Sequence, residues 1–113
     1  MNNLEEYTET DRTDHQIAKD TLRYTLLHDC IGRGNATSGH ELAADTPVSS
    51  STIRDLIKEL RAEGIPVVSL GQGYFVINTS DEFGTVIERI DKEIATRQET
   101  KRELYAALTE DTQ

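Results

Sequence analysis

Between Ser49 and Gly64 the chain carries Ile53, Leu56, Ile57 and Leu60, an i, i+3, i+4, i+7 series that neither glycine nor proline interrupts. At about 100° per residue these side chains fall on one stripe of an α-helix. Ser51, Asp55, Lys58 and Ala62 fall on the opposite face, with Arg54 and Arg61 along one flank. A stripe this regular has to be buried, so the helix, read as residues 50–63, needs a core built by its neighbours. Ser49 stands where an N-cap belongs and Gly64 where such a helix ends.

The neighbours follow in order. Thr13-Asp14-His15-Gln16 has the spacing of a capping box, and Ile17, Leu22, Tyr24, Leu26, Leu27 and Ile31 then mark a first helix that Gly32 and Gly34 end. Ser38-Gly39-His40-Glu41 repeats the box before a short helix with Leu42 and Ala43 facing in, and Asp45-Thr46-Pro47 stops it. Two helices joined by a turn of about four residues have helix-turn-helix spacing. Val67-Val68 and Tyr74-Phe75-Val76-Ile77 flank Gly71-Gln72-Gly73, which predicts a hairpin.

Thr79 and Glu82 open a long last helix. Its residues Phe83, Ile87, Ile90, Ile94, Arg97, Lys101, Leu104 and Leu108 alternate steps of four and three, a heptad seam with two cations near its middle. Two readings stand: the first half of the seam packs on the chain's own first helix, or the seam pairs with a second subunit. On the second, Phe83, Ile87, Ile90, Ile94, Leu104 and Leu108 are the dimerisation residues. Arg97 and Lys101 argue against a continuous dry seam, because a buried cation needs a partner; Glu93, Glu99 and Glu103 are at hand to supply one across a dimer. The expected organisation is a flexible acidic tail over 1–13, a domain over 14–79, a C-terminal helix over 80–109 and a short tail over 110–113.

The formal charge of −9 is unevenly spread. Residues 17–80 hold seven acids and six bases, whereas 1–16 hold five acids and one base, and 81–113 nine acids and five bases. Arginine outnumbers lysine eight to four, and tryptophan is absent. High acid with little lysine suits a chain working in concentrated salt, where self-repulsion is screened; an ordinary acidic protein is the other reading. The single Cys30 cannot close an internal disulfide. No apolar run is long enough to span a bilayer, and MNNLEEYTETDRT has no apolar core. A soluble cytoplasmic protein, with no membrane partner, is expected.

The stretch SGHELAADTPVSSSTIRDLIKELRAEGIPVVSLGQGYFV resembles the N-terminal winged-helix domain of biotin operon repressors and related small viral and prokaryotic regulators. The resemblance runs through Ser38-Gly39, Glu41-Leu42, Val48-Ser49, Ile53, Ile57, Leu60-Arg61, Gly64 and Gly71-x-Gly73-Tyr74, over roughly residues 20–78. It implies an α+β fold, a winged helix-turn-helix of three helices plus a β-hairpin wing, followed here by the long C-terminal helix. It also implies that helix 50–63 reads double-stranded DNA. No part of the chain resembles the ligase half of those repressors, so neither biotin binding nor ligation is implied. Where such domains carry basic or bulky polar residues at the start of the reading helix, this chain has Ser50 and Ser51; Gln72 replaces a lysine at the wing tip. Both changes weaken the phosphate term of binding.

On the exposed face, Ser50 and Ser51 stand near backbone N–H groups that favour a phosphate. Arg54 has the fork for guanine O6 and N7, and Asp55 can accept from cytosine N4. Lys58 and Arg61 are candidate phosphate contacts, and Gln72 a minor-groove contact; a solvated face with an Asp55–Lys58 pair is the bland alternative. Lys19, Arg23 and Arg33 are weaker candidates for backbone contacts. Catalysis finds no foothold. His15, His28 and His40 lack zinc spacing, Ser49–Ser51 lack a recognisable base, and Gly71-Gln72-Gly73 is too short for a phosphate loop. The expectation is a non-enzymatic DNA-binding transcriptional regulator without cofactor, most simply a dimeric repressor associated with the nucleoid when bound. A winged-helix protein-interaction module, and a viral or plasmid replication or packaging protein, are the alternatives.

Overall fold

A computed structural model of the protein describes residues 3–111, with side chains over 13–109. Helix α1 spans Asn3–Asp29 and is followed by a single 3-10 turn at Arg33–Asn35. Then come α2 (Gly39–Ala44), α3 (Ser50–Ala62), strands β1 (Val67–Ser69) and β2 (Tyr74–Val76), and α4 (Ser80–Asp111). Residues 1–79 and 80–113 form two separate compact units. The first is an α+β winged helix-turn-helix: three helices and a two-stranded antiparallel wing.

Helix α1 starts well ahead of Thr13, where the capping box placed its beginning. Nothing in Asn3–Arg12 stops a helix, since the stretch holds neither glycine nor proline. The backbone is therefore helical through most of the stretch expected to be a flexible tail; residues 1–2, and the side chains of 3–12, lie outside the described residues, as does most of the expected tail at 110–113. The core of the unit is a seam between α1 and α3. Ala18, Leu22 and Leu26 form the inward stripe of α1, continued four residues on by Cys30 just past its end, and Ile53, Leu56, Ile57 and Leu60 form that of α3. Leu42 from α2 and Val67 and Val76 from the wing close it. Each such aliphatic side chain taken fully out of water contributes roughly 1.5–3 kcal/mol before the cost of ordering it. Ile17, Tyr24 and Leu27, counted among the apolar positions of the first helix, lie exposed on its other side.

The caps hold where the sequence put them in α2 and α3. Ser38 Oγ accepts from the Glu41 N–H at 3.1 Å, and Ser49 Oγ from the Thr52 N–H at 3.4 Å. α3 ends in a Schellman motif, with the Ile65 N–H reaching the Leu60 carbonyl and the Gly64 N–H that of Arg61. Gly64 takes the positive φ (101°) this turn requires.

The wing is short, but β2 is held on both of its edges. β1 and β2 pair antiparallel with Val67 opposite Val76, Val68 opposite Phe75 and Ser69 opposite Tyr74. On its other edge β2 meets the link between α1 and α2. Tyr74 and Thr37 exchange both backbone hydrogen bonds (2.8 and 3.0 Å), while the Val76 N–H donates to the Cys30 carbonyl and the Val76 carbonyl accepts from Gly32. Gly73 makes the approach to Thr37 feasible. A Cβ there would lie 2.6 Å from the carbonyl carbon and oxygen of Thr37, and its φ is +118°. Gly73→Ala should therefore cost about 1–3 kcal/mol or more, read as a lower urea midpoint at unchanged slope. Gly34→Ala, where a Cβ meets nothing within 4 Å, should leave the midpoint close to that of the native chain.

Candidate nucleic-acid interface

The stripe that buries α3 also sets the direction of every charged group on it. Glu59 and Glu63, one turn apart, lie beside the core stripe and meet His15, Lys19 and Arg23, spaced four apart on α1. His15 Nε2 is 2.9 Å from Glu59 Oε2. Lys19 Nζ donates to Glu59 Oε1 at 3.2 Å and pairs with Glu63. Arg23 bridges Glu63 (3.0 Å) and Asp20 (2.9 Å). Of the three acids between Ser50 and Gly64, two are thus turned onto α1 and paired there. Lys19 and Arg23, considered above as DNA-backbone contacts, are instead engaged in this lattice. The signal was in the sequence, as one ladder of bases and another of acids, both at helical spacing.

The remaining face of α3 is open. Ser51, Arg54, Asp55, Lys58 and Arg61 are exposed and Ser50 is half-buried. Among the described residues no ion pair involves Arg54, Asp55 or Lys58, so the Asp55–Lys58 pair does not form. Ser49 is the cap, and its hydroxyl lies 2.9 Å from that of Ser51. The Ser50 and Ser51 N–H groups lie in the first turn, which has no intrahelical acceptor for them. Arg61 is drawn towards the wing: its Nε donates to the Val67 carbonyl at 2.9 Å. Gln72 is exposed at the wing tip, and residues 66–77 contain neither lysine nor arginine. Arg33 is exposed in the 3-10 turn.

Other chemistry-bearing residues have structural places. Cys30 is fully buried with its Sγ 3.4 Å from Thr37 Oγ1. His28 stacks on Tyr24 (centroids 3.9 Å apart) and its Nδ1 donates to the Tyr24 carbonyl. His40 is exposed on α2. No described helix is long and apolar enough to cross a membrane.

A helix pair at this spacing, with an exposed second helix and a hairpin behind it, is what a known family also describes. Residues 30–75 match the family model of the HTH domain. The match takes in α2, α3 and most of the wing, about two-fifths of the chain. Comparison with curated proteins and with solved structures gave no match. The winged helix-turn-helix fold implied by the sequence resemblance is thus the fold of this segment.

The lattice between α1 and α3 makes stability depend on pH at both ends. Lys19 first and then Arg23 hold the Glu63 carboxyl below the ordinary carboxylate range; His15 first and then Lys19 do so for Glu59. Groups with a lowered folded pKa stabilise above the unfolded value, about 4.3, and lose that contribution as pH falls through the folded value. Lys19 is shifted the other way, upward, chiefly by Glu63; its contribution is full below about 10.4 and disappears as pH rises through the folded value. Urea midpoints should accordingly be flat near neutrality and fall below about pH 4.3. In Glu59→Gln/Glu63→Gln the acid limb should be shallower; an identical acid limb would mean that the ladders do not act in solution.

Proposed function

We propose that this chain is a sequence-specific, double-stranded DNA-binding transcriptional regulator that works as a dimer, most simply a repressor that blocks polymerase. The observation that carries this reading is the sorting of charge on α3. Glu59 and Glu63 are spent on α1, so the exposed face carries Arg54 and Lys58 against Asp55 alone. α3 enters the major groove with Ser50 and Ser51 leading. Arg54 takes guanine O6 and N7, Asp55 accepts from cytosine N4, and Lys58 holds a phosphate. The Arg61 guanidinium, anchored at Nε, offers its terminal nitrogens to the backbone, and Gln72 approaches the minor groove.

Asp55 has two effects. It repels every phosphate it nears, weakening binding to any sequence, and it rewards a cytosine at one position. A domain so configured holds DNA weakly by itself, and a second copy on a second half-site restores affinity. The apolar stripe of α4 is the assigned dimer surface: Phe83, Ile87, Ile90, Ile94, Leu104 and Leu108 are between 41% and 65% exposed in the single chain.

Fragments selected from random DNA provide the site, and titrations at several salt concentrations test the roles. Arg54→Ala should weaken the selected site by about 1–3 kcal/mol and relax preference at one base pair. Lys58→Ala should weaken all sequences similarly and reduce the salt slope by about one. Asp55→Asn should raise non-specific binding. Unchanged affinity in both Arg54→Ala and Lys58→Ala would remove this face as the DNA contact.

A further inference from the structure

We infer that two copies of α4 pair antiparallel, in the register that sets Phe83 against Leu108, Ile87 against Leu104, Ile90 against Lys101 and Ile94 against Arg97. This rests on the dimer reading above and adds the orientation of the partner, which is a second copy of the same helix. The argument is one of charge. The stripe is apolar at both ends and cationic at Arg97 and Lys101. In a parallel, in-register pair each of these cations meets its own copy across the seam, so four positive charges occupy two successive layers. Like charges directly opposed in a closing interface are strongly unfavourable.

Reversing one helix removes the coincidence. Each cation then faces an isoleucine, and the second copy's acids fall alongside. Along the axis the second copy's Glu93 falls about 1.5 Å from Arg97, and its Asp91 about 1.5 Å from Lys101, the two acids flanking the seam on opposite sides. The two-fold symmetry gives the first copy's acids the same places beside the second copy's cations. The acids are available for this. Asp91 has no ion-pair partner among the described residues, and Glu93 has only a long contact, 3.7 Å from Arg89 on an exposed face, which adds little by itself. The flanking positions agree: Asp91 comes next to Gln98, and Glu93 next to Thr100, so no acid meets an acid. All eight seam positions are used, and each apolar end of one stripe finds the apolar end of the other.

A single nitroxide tests this in the full-length protein. Thr109→Cys lies on the exposed end of α4, and Cys30 is fully buried, out of a label's reach. In the antiparallel dimer the two labels should be about 40 Å apart along the axis. Side-by-side parallel helices, each about 10–12 Å across, would bring them within about 25 Å. A dimer by light scattering with the long distance is the expected result. A dimer with the short distance overturns the orientation and leaves the dimer reading intact. A monomer at every concentration overturns both.

Discussion

The contact between α1 and α3 governs the rest of the domain. Four aliphatic side chains of α3 meet a stripe that starts at Ala18 on α1, runs through Leu22 and Leu26 and finishes at Cys30 just past the helix end, both terminal residues being small. Small residues at the ends let the helices approach closely without large aromatics, of which this chain has few. That approach also brings the residues flanking the stripe within reach of one another. His15, Lys19 and Arg23 on one helix and Glu59 and Glu63 on the other meet at its rim because the apolar seam has already fixed rotation and height. With seam and rim both satisfied, α3 has one remaining face, and Arg54, Asp55 and Lys58 occupy it. The direction of these exposed side chains is therefore a by-product of packing.

The wing depends on a second constraint, the close pass of β2 against Thr37. Hydrogen bonds from both edges of β2 tie together the hairpin and the link between α1 and α2. Thr37 precedes Ser38, the cap of α2, so the same strand that carries the wing positions the start of the helix-turn-helix. A two-stranded hairpin of three-residue strands would be marginal by itself. Here it persists because it is the middle of a larger backbone network. Only glycine at position 73 lets the network close.

Much of this was legible in the sequence, and the failures are instructive. The Ser38 and Ser49 caps, the buried stripe of α3, the Gly64 terminus and the glycine-flanked hairpin are local chemistry, and local chemistry is what a sequence displays. The start of α1 is not legible, because a capping-box spacing also occurs inside helices and only a stop signal upstream distinguishes the two; residues 3–12 contain neither glycine nor proline. Its inner stripe was obscured because Ala18 and Cys30 carry little hydrophobic signal, whereas Ile17, Tyr24 and Leu27 are more conspicuous and lie outside. The roles first considered for Lys19 and Arg23 overlooked the matching spacing of Glu59 and Glu63 forty residues later. A charge reads as free in a sequence until its partner is known, and that partner lay on another element.

The net charge of the chain consequently says little about the exposed face of α3. Acid counted over α3 and its cap suggests repulsion from a duplex, yet Glu59 and Glu63 are paired with α1 and Asp55 alone of the three has no ion-pair partner among the described residues. Affinity from phosphate neutralisation is limited by the number of exposed cations on this face, which is small, and the wing adds none. Such a domain gains more from hydrogen bonds to base edges and from a linked second copy than from charge. Base-edge hydrogen bonds do not depend on releasing counterions as phosphate contacts do. On the role proposed for this face, binding carried by those bonds should persist at salt concentrations that dissociate a lysine-rich winged helix, where phosphate attraction is screened and an acid such as Asp55 sacrifices little of it.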